Sequence, residues 1–152
     1  MSKSLSIVPG ILAAGLLLTL SQHATPRQSQ AGSTIKVTLD YTGSGTVDEN
    51  HKIYVALWDS PSFTQGNAMP AAIQSTSSKT GTVTFSDVKT NPAYVSTAYD
   101  PTGKWDGQSG PPPAGSSLGM YSKSPGKPEP IDTAGGKTAT ATISFDDSVK
   151  MH

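Results

Sequence analysis
The chain has 152 residues, no cysteine, and 11 basic against 11 acidic side chains, so its formal charge is zero. That length suits one domain, and the lack of cysteine excludes disulfides, thiol nucleophiles and cysteine-based metal sites. With neither a basic excess nor a basic run, nucleic acid and anionic membrane are excluded as expected partners.

Lys3 precedes a mainly apolar stretch, 5–20, with Leu16, Leu17 and Leu18 at its centre and the small residues Ser21 and Ala24 behind it. This is the layout of a secretory signal peptide, and it is shorter than the ~20 apolar residues of a membrane-spanning helix. Residues 1–24 are therefore expected to send the chain to the periplasm or outside the cell, with cleavage after Ser21 or Ala24. No membrane contact is expected once they are removed. Residues 25–32 are polar and read as a flexible lead-in.

From Ser33 the hydrophobic period is two. Ile35, Val37, Leu39 and Tyr41 alternate with Lys36, Thr38 and Asp40, the pattern of a half-buried strand. Gly43 and Gly45 break it. The next strand spans 52–58, with Ile53, Val55 and Leu57 on one side and Tyr54, Ala56 and Trp58 on the other. Asp59 and Pro61 stop it. A loop over 60–70 leads to a strand at 72–77, then to another at 81–85, where Val83 and Phe85 share a face. Asn91 and Pro92 turn the chain into a strand at 93–99, and alternation over 137–145 gives the last. About seven short strands separated by turn residues, with no sustained helical period, predict an all-β fold. The expected architecture is an antiparallel β-sandwich, immunoglobulin-like or prealbumin-like, over 33–147, with 148–152 as a tail.

Between 100 and 130, 13 of 31 residues are Pro or Gly. Irregular segments longer than ~12–15 residues are uncommon in compact domains and are usually functional or disordered. This one carries Trp105 and Tyr121, side chains that a plain linker does not need. The surface over 100–121 is therefore the expected contact surface.

The order Gly81-Thr-Val-Thr-Phe85, Val88, then Tyr94-Val-Ser-Thr-Ala98 resembles the prealbumin-like sandwich modules found beside carboxypeptidases and in surface adhesins. The chain is also similar to the secreted bacterial family domain of unknown function 2141. That family carries an Asp/Asn/Gly-rich loop after a strand. In the segment Tyr99-Asp100-Pro-Thr-Gly103-Lys-Trp-Asp106-Gly107, Gly103 takes the place of the turn glycine and Asp106 that of the last acid. Asp100 and Thr102 match intermediate oxygen positions, while Ala98 stands where the first acid belongs. The resemblance implies export and a β fold.

Three kinds of chemistry follow from these residues. Calcium takes 6–8 oxygen ligands, often from loops that alternate acids with carbonyls. Asp100, Thr102 and Asp106 would supply some, with the Trp105 carbonyl, and Asp146 and Asp147 would add more if the fold brought them near. The opposing reading is that Asp100-Pro and Asp106-Gly are turn signals in which Asp caps its own backbone. A protein or glycan partner would use aromatic faces: Trp105, Tyr121 and Tyr99 are the candidates, while Trp58 and Tyr99 are also expected to close the core. The proline run 111–113 suits either partner recognition in a polyproline II form or a stiff spacer. For catalysis, only His51 stands outside the leader and the terminus, near Asp48 and Glu49 in a turn and without a nucleophile elbow. A non-catalytic binding or structural module is the expected function, with a carbohydrate- or calcium-binding domain as the alternative.

Overall fold
A computed structural model describes residues 31–66 and 68–152. The expected leader and most of the lead-in lie outside them. Seven strands form two sheets: β1 (Ser33–Tyr41), β2 (Ile53–Trp58), β3 (Ala72–Thr76), β4 (Thr80–Val88), β5 (Tyr94–Tyr99), β6 (Ser117–Met120) and β7 (Thr138–Phe145). One sheet has the order β4-β1-β7 and the other β3-β2-β5-β6. The pairs are antiparallel except β1 with β7, which run parallel.

The alternation in the sequence becomes the core. Ile35, Val37, Leu39 and Tyr41 of β1 are buried, facing Ile53, Val55 and Leu57 of β2 and Val95 and Tyr99 of β5. Val83, Phe85, Ala141, Ile143 and Phe145 complete the layer. Each large aliphatic side chain removed from water there contributes ~1.5–3 kcal/mol, which is what makes strands of this length stable together. One register shift interrupts β1–β4: Ser33 faces Val88 while Ile35 faces Phe85. The extra residue is absorbed by Asp87, which sits in the left-handed region at φ 56°, the geometry of a β-bulge.

Three features depart from the sequence expectation. The β1–β7 pair runs parallel, where an antiparallel sandwich was expected. The segment 100–130 is not one long loop, because β6 adds its four residues to the edge of the larger sheet. Residues 148–152, expected as a tail, run along that edge instead. The Leu118 N–H donates to the Val149 carbonyl at 2.9 Å, and the Met151 N–H to Ser116 at 2.9 Å.

At one end the sheets are joined by polar groups. The Asp147 carboxylate accepts from the Tyr41 hydroxyl and the Ser117 hydroxyl, both at 2.6 Å, and from the Ser44 N–H and hydroxyl, both at 2.8 Å. These donors, Ser117 first and then Tyr41 and Ser44, hold its carboxyl well below the usual range. Burial, helped by the Asp147 hydrogen bond, pushes the Tyr41 phenol up, so it remains a donor.

Candidate functional site
The site begins where β5 ends. Asp100 is buried, and its Oδ1 accepts from the Thr102 N–H at 2.8 Å and the Thr102 hydroxyl at 2.7 Å. Its Oδ2 accepts from the Trp105 N–H at 2.9 Å. Burial pushes this carboxyl up, but the Thr102 hydroxyl and the N–H groups of Trp105, Thr102 and Lys104 outweigh it and keep the group ionised. The carboxylate thus bends 100–105 into a turn and points the chain back across the outer face of β2.

Trp105 lands on Tyr54. The rings meet edge-on with centroids 4.8 Å apart, and the Tyr54 hydroxyl donates to the Trp105 carbonyl. Gly107 follows at φ 81°, so close to the sheet that a Cβ there would stand 2.6 Å from Tyr54 Cδ1. Only glycine suits that conformation and that gap. Asp106 then closes a second turn. Its pKa is lowered to about 2 by the Ser109 hydroxyl and by the N–H groups of Ser109 and Gln108.

The outer face of β3-β2-β5-β6 lies under and beside this loop. The register places Ile73, Ala56, Ser96 and Met120 in one row across the four strands, and Ser75, Tyr54, Ala98 and Leu118 in the next. The two central strands therefore offer Ala56, Ser96 and Ala98 as a low floor, with bulkier side chains at its borders. Trp58 stands at the end of β2, stacked on Phe63 with centroids 5.0 Å apart, and its Nε1 donates to the Ser96 hydroxyl at 2.9 Å.

Phe63 is held by a short 3-10 turn, Pro61–Gln65. Ser60 caps its start, Pro61 occupies the first helical position, and Gly66 ends it at φ 80°.

The result is a groove of about 910 Å³, walled by Phe63, Thr64 and Gly66, by 68–70, by 105–112 and by the chain end at Val149 and Met151, and reaching the end of β7 at Ser144, Phe145 and Asp146. Met69, Met120 and Met151 line it with the aromatic and proline side chains. Asp146 is the one charged side chain among the described lining residues. The volume and apolar lining are those of a ligand pocket, typically ~300–1,000 Å³.

Of the three aromatic residues expected to meet a ligand, Trp105 lines the groove and the other two do not. Tyr99 is buried in the core, stacked on Tyr41 at 5.0 Å, with its hydroxyl donating to the Thr46 carbonyl at 2.9 Å. Tyr121 packs against the core edge, because it follows Met120 and so takes the opposite face. Trp58, expected in the core, is on the outer face. It alternates with Leu57, and one residue of that pair had to point outward.

The calcium candidates do not converge on a shared position. Asp100 and Thr102 bond each other, Asp106 bonds Ser109, and Asp147 is engaged at the Tyr41 end. No group of three or more His, Cys, Asp or Glu that could hold a metal ion occurs among the described residues. His51 lies on the 48–51 turn, its Nδ1 3.0 Å from Asp48 Oδ1. Compared with family models, with curated proteins and with solved structures, the chain matches none.

Proposed function
We propose that this chain is an exported, non-catalytic binding module whose ligand lies in the groove on the outer face of the four-stranded sheet. One observation carries the reading. An outer face that could have been solvated like that of the other sheet is instead apolar and aromatic, and loops wall it without filling it. Exposed apolar area of this kind, enclosed on several sides, marks a recognition surface in soluble domains. The resemblance to exported β modules points the same way.

A catalytic reading draws no support from the groove, where Asp146 is the single carboxylate among the described lining residues.

Both tryptophans of the chain line this groove, which makes intrinsic fluorescence the direct test. Emission of the protein and of Trp58→Phe and Trp105→Phe should shift and resist quenching when a ligand enters. A ligand that binds yet leaves both signals unchanged would place the site elsewhere.

A further inference from the structure
We propose that the groove takes a hydrocarbon chain, the acyl or isoprenoid tail of a neutral lipid, with its head group outside. The inference rests on the groove being the binding site and names what fills it.

The floor decides between ligand classes. β2 is paired on both sides, with β3 and β5, and β5 on both sides, with β2 and β6. The backbone N–H and C=O groups of the floor are therefore committed to the sheet. On the floor itself the polar side chains are few and already used: the Ser96 hydroxyl accepts from Trp58, the Tyr54 hydroxyl donates to the Trp105 carbonyl, and the Thr97 hydroxyl donates to the Tyr54 carbonyl, while Gln108, Ser144 and Ser148 stand at the walls. A peptide or glycan laid on this floor would bury amides or hydroxyls without partners, a desolvation cost that nothing there offsets. A hydrocarbon chain has no such groups to satisfy.

The walls agree with the floor. A sugar needs open aromatic faces, but Trp58 has one face covered by Phe63, and Trp105 meets Tyr54. Methionine is unbranched and polarisable, and it moulds to apolar ligands of varied shape; three of the four methionines in the chain line this one groove. With no cation among the described lining residues, an anionic head group would find no partner inside. A neutral lipid fits with its head at the open side.

The test uses the full-chain protein and 1-monoacylglycerols of increasing length, below their aggregation limits, read by tryptophan fluorescence. Binding should tighten about fourfold per added CH₂, the factor equivalent to ~0.8 kcal/mol per buried CH₂, until the groove is full. Ala56→Phe, which raises the floor, should weaken binding tenfold or more, and so should Met120→Glu, which charges the lining. Thr38→Phe, on the other sheet, should leave it unchanged. Affinity independent of chain length would overturn the proposal.

Soluble oligosaccharides and a proline-rich peptide form the second arm. A response to either of these but not to the lipids would keep the groove as the site and reject the hydrocarbon. Silence from all of them would remove both readings. Neutral phosphatidylcholine vesicles separate the sources of the chain: lipid recovered with the soluble protein supports capture of a single tail. Flotation of protein with vesicles and no lipid transfer would overturn it in favour of surface docking.

Discussion
The outer faces of the two sheets come from the same in–out alternation, yet they do opposite things with it. On the three-stranded sheet the outward rows are Thr84–Lys36–Thr140 and Thr82–Thr38–Thr142, all exposed. On the four-stranded sheet the corresponding rows hold Tyr54, Ala56, Ile73, Ala98 and Met120, half-buried or buried, and loops rise around them. β-branched polar residues suit a pleated, solvated surface with nothing laid on it. The apolar rows are only part-covered by the protein itself, and the remaining space has a definite shape. Polarity of the outward face is thus a choice made strand by strand, and the strands that depart from it locate the candidate groove.

The sharpest way to break this contrast is to loosen the sheets from each other at the Asp147 end. Asp147→Ala leaves the Tyr41 and Ser117 hydroxyls without their acceptor. Hydrogen bonds to a charged group contribute ~1.5–3 kcal/mol and do not simply add, so chemical denaturation should show a loss of about 2–4 kcal/mol. The carboxylate's folded pKa is depressed. Its contribution is therefore fully present above the unfolded value of ~3.9 and fades as pH falls through the folded one. The parent protein should lose stability progressively below about pH 4, and Asp147→Asn should flatten that limb.

A smaller effect is expected where the loop meets the groove. Gly107→Ala places a Cβ against Tyr54 in a left-handed conformation, at about 1–2 kcal/mol. It should also lift 105–107 from the sheet, seen as a red shift of Trp105 emission in a Trp58→Phe background. If the emission stays put, the loop is not seated on Tyr54. Smallest of all, Thr38→Val and Thr142→Val on the solvated face should change stability by no more than ~0.5 kcal/mol and leave ligand affinity alone. A loss of affinity there would mean that the polar face has a partner too.

Much of this architecture could be read from the chain. The period-two runs through Ile35–Tyr41 and Ile143–Phe145 fixed both the strands and the faces they bury, because a sheet buried on one side imposes that period. β6 was hidden. Ser117-Leu-Gly-Met is four residues long, sits among prolines and glycines, and is a strand because β5 pairs with it rather than through any propensity of its own. Gly119 fits there because it lies against Phe145 and Thr97, where any side chain would collide, a tertiary demand that no local pattern announces.

The candidate site was legible in fragments. Trp105 was singled out by an aromatic residue standing where a linker needs none, and it lines the groove. Tyr99 and Tyr121 were drawn to the same surface by sequence proximity, although strand alternation turned both inward. The missed signal lay in β2, where Tyr54, Ala56 and Trp58 alternate with Ile53, Val55 and Leu57. A strand apolar on both faces is covered on both faces, and here the second cover is incomplete.

The short pairing of 149–151 with 115–118 has a practical side. Because Val149 and Met151 line the groove, any polypeptide continuing past His152 emerges at its rim. A carboxyl-terminal affinity handle would hang over the opening and obstruct it, and tethering to a sensor by that end would hide the very surface under study. A small environment-sensitive dye attached there, in contrast, would sit close enough to report each occupant as it arrives.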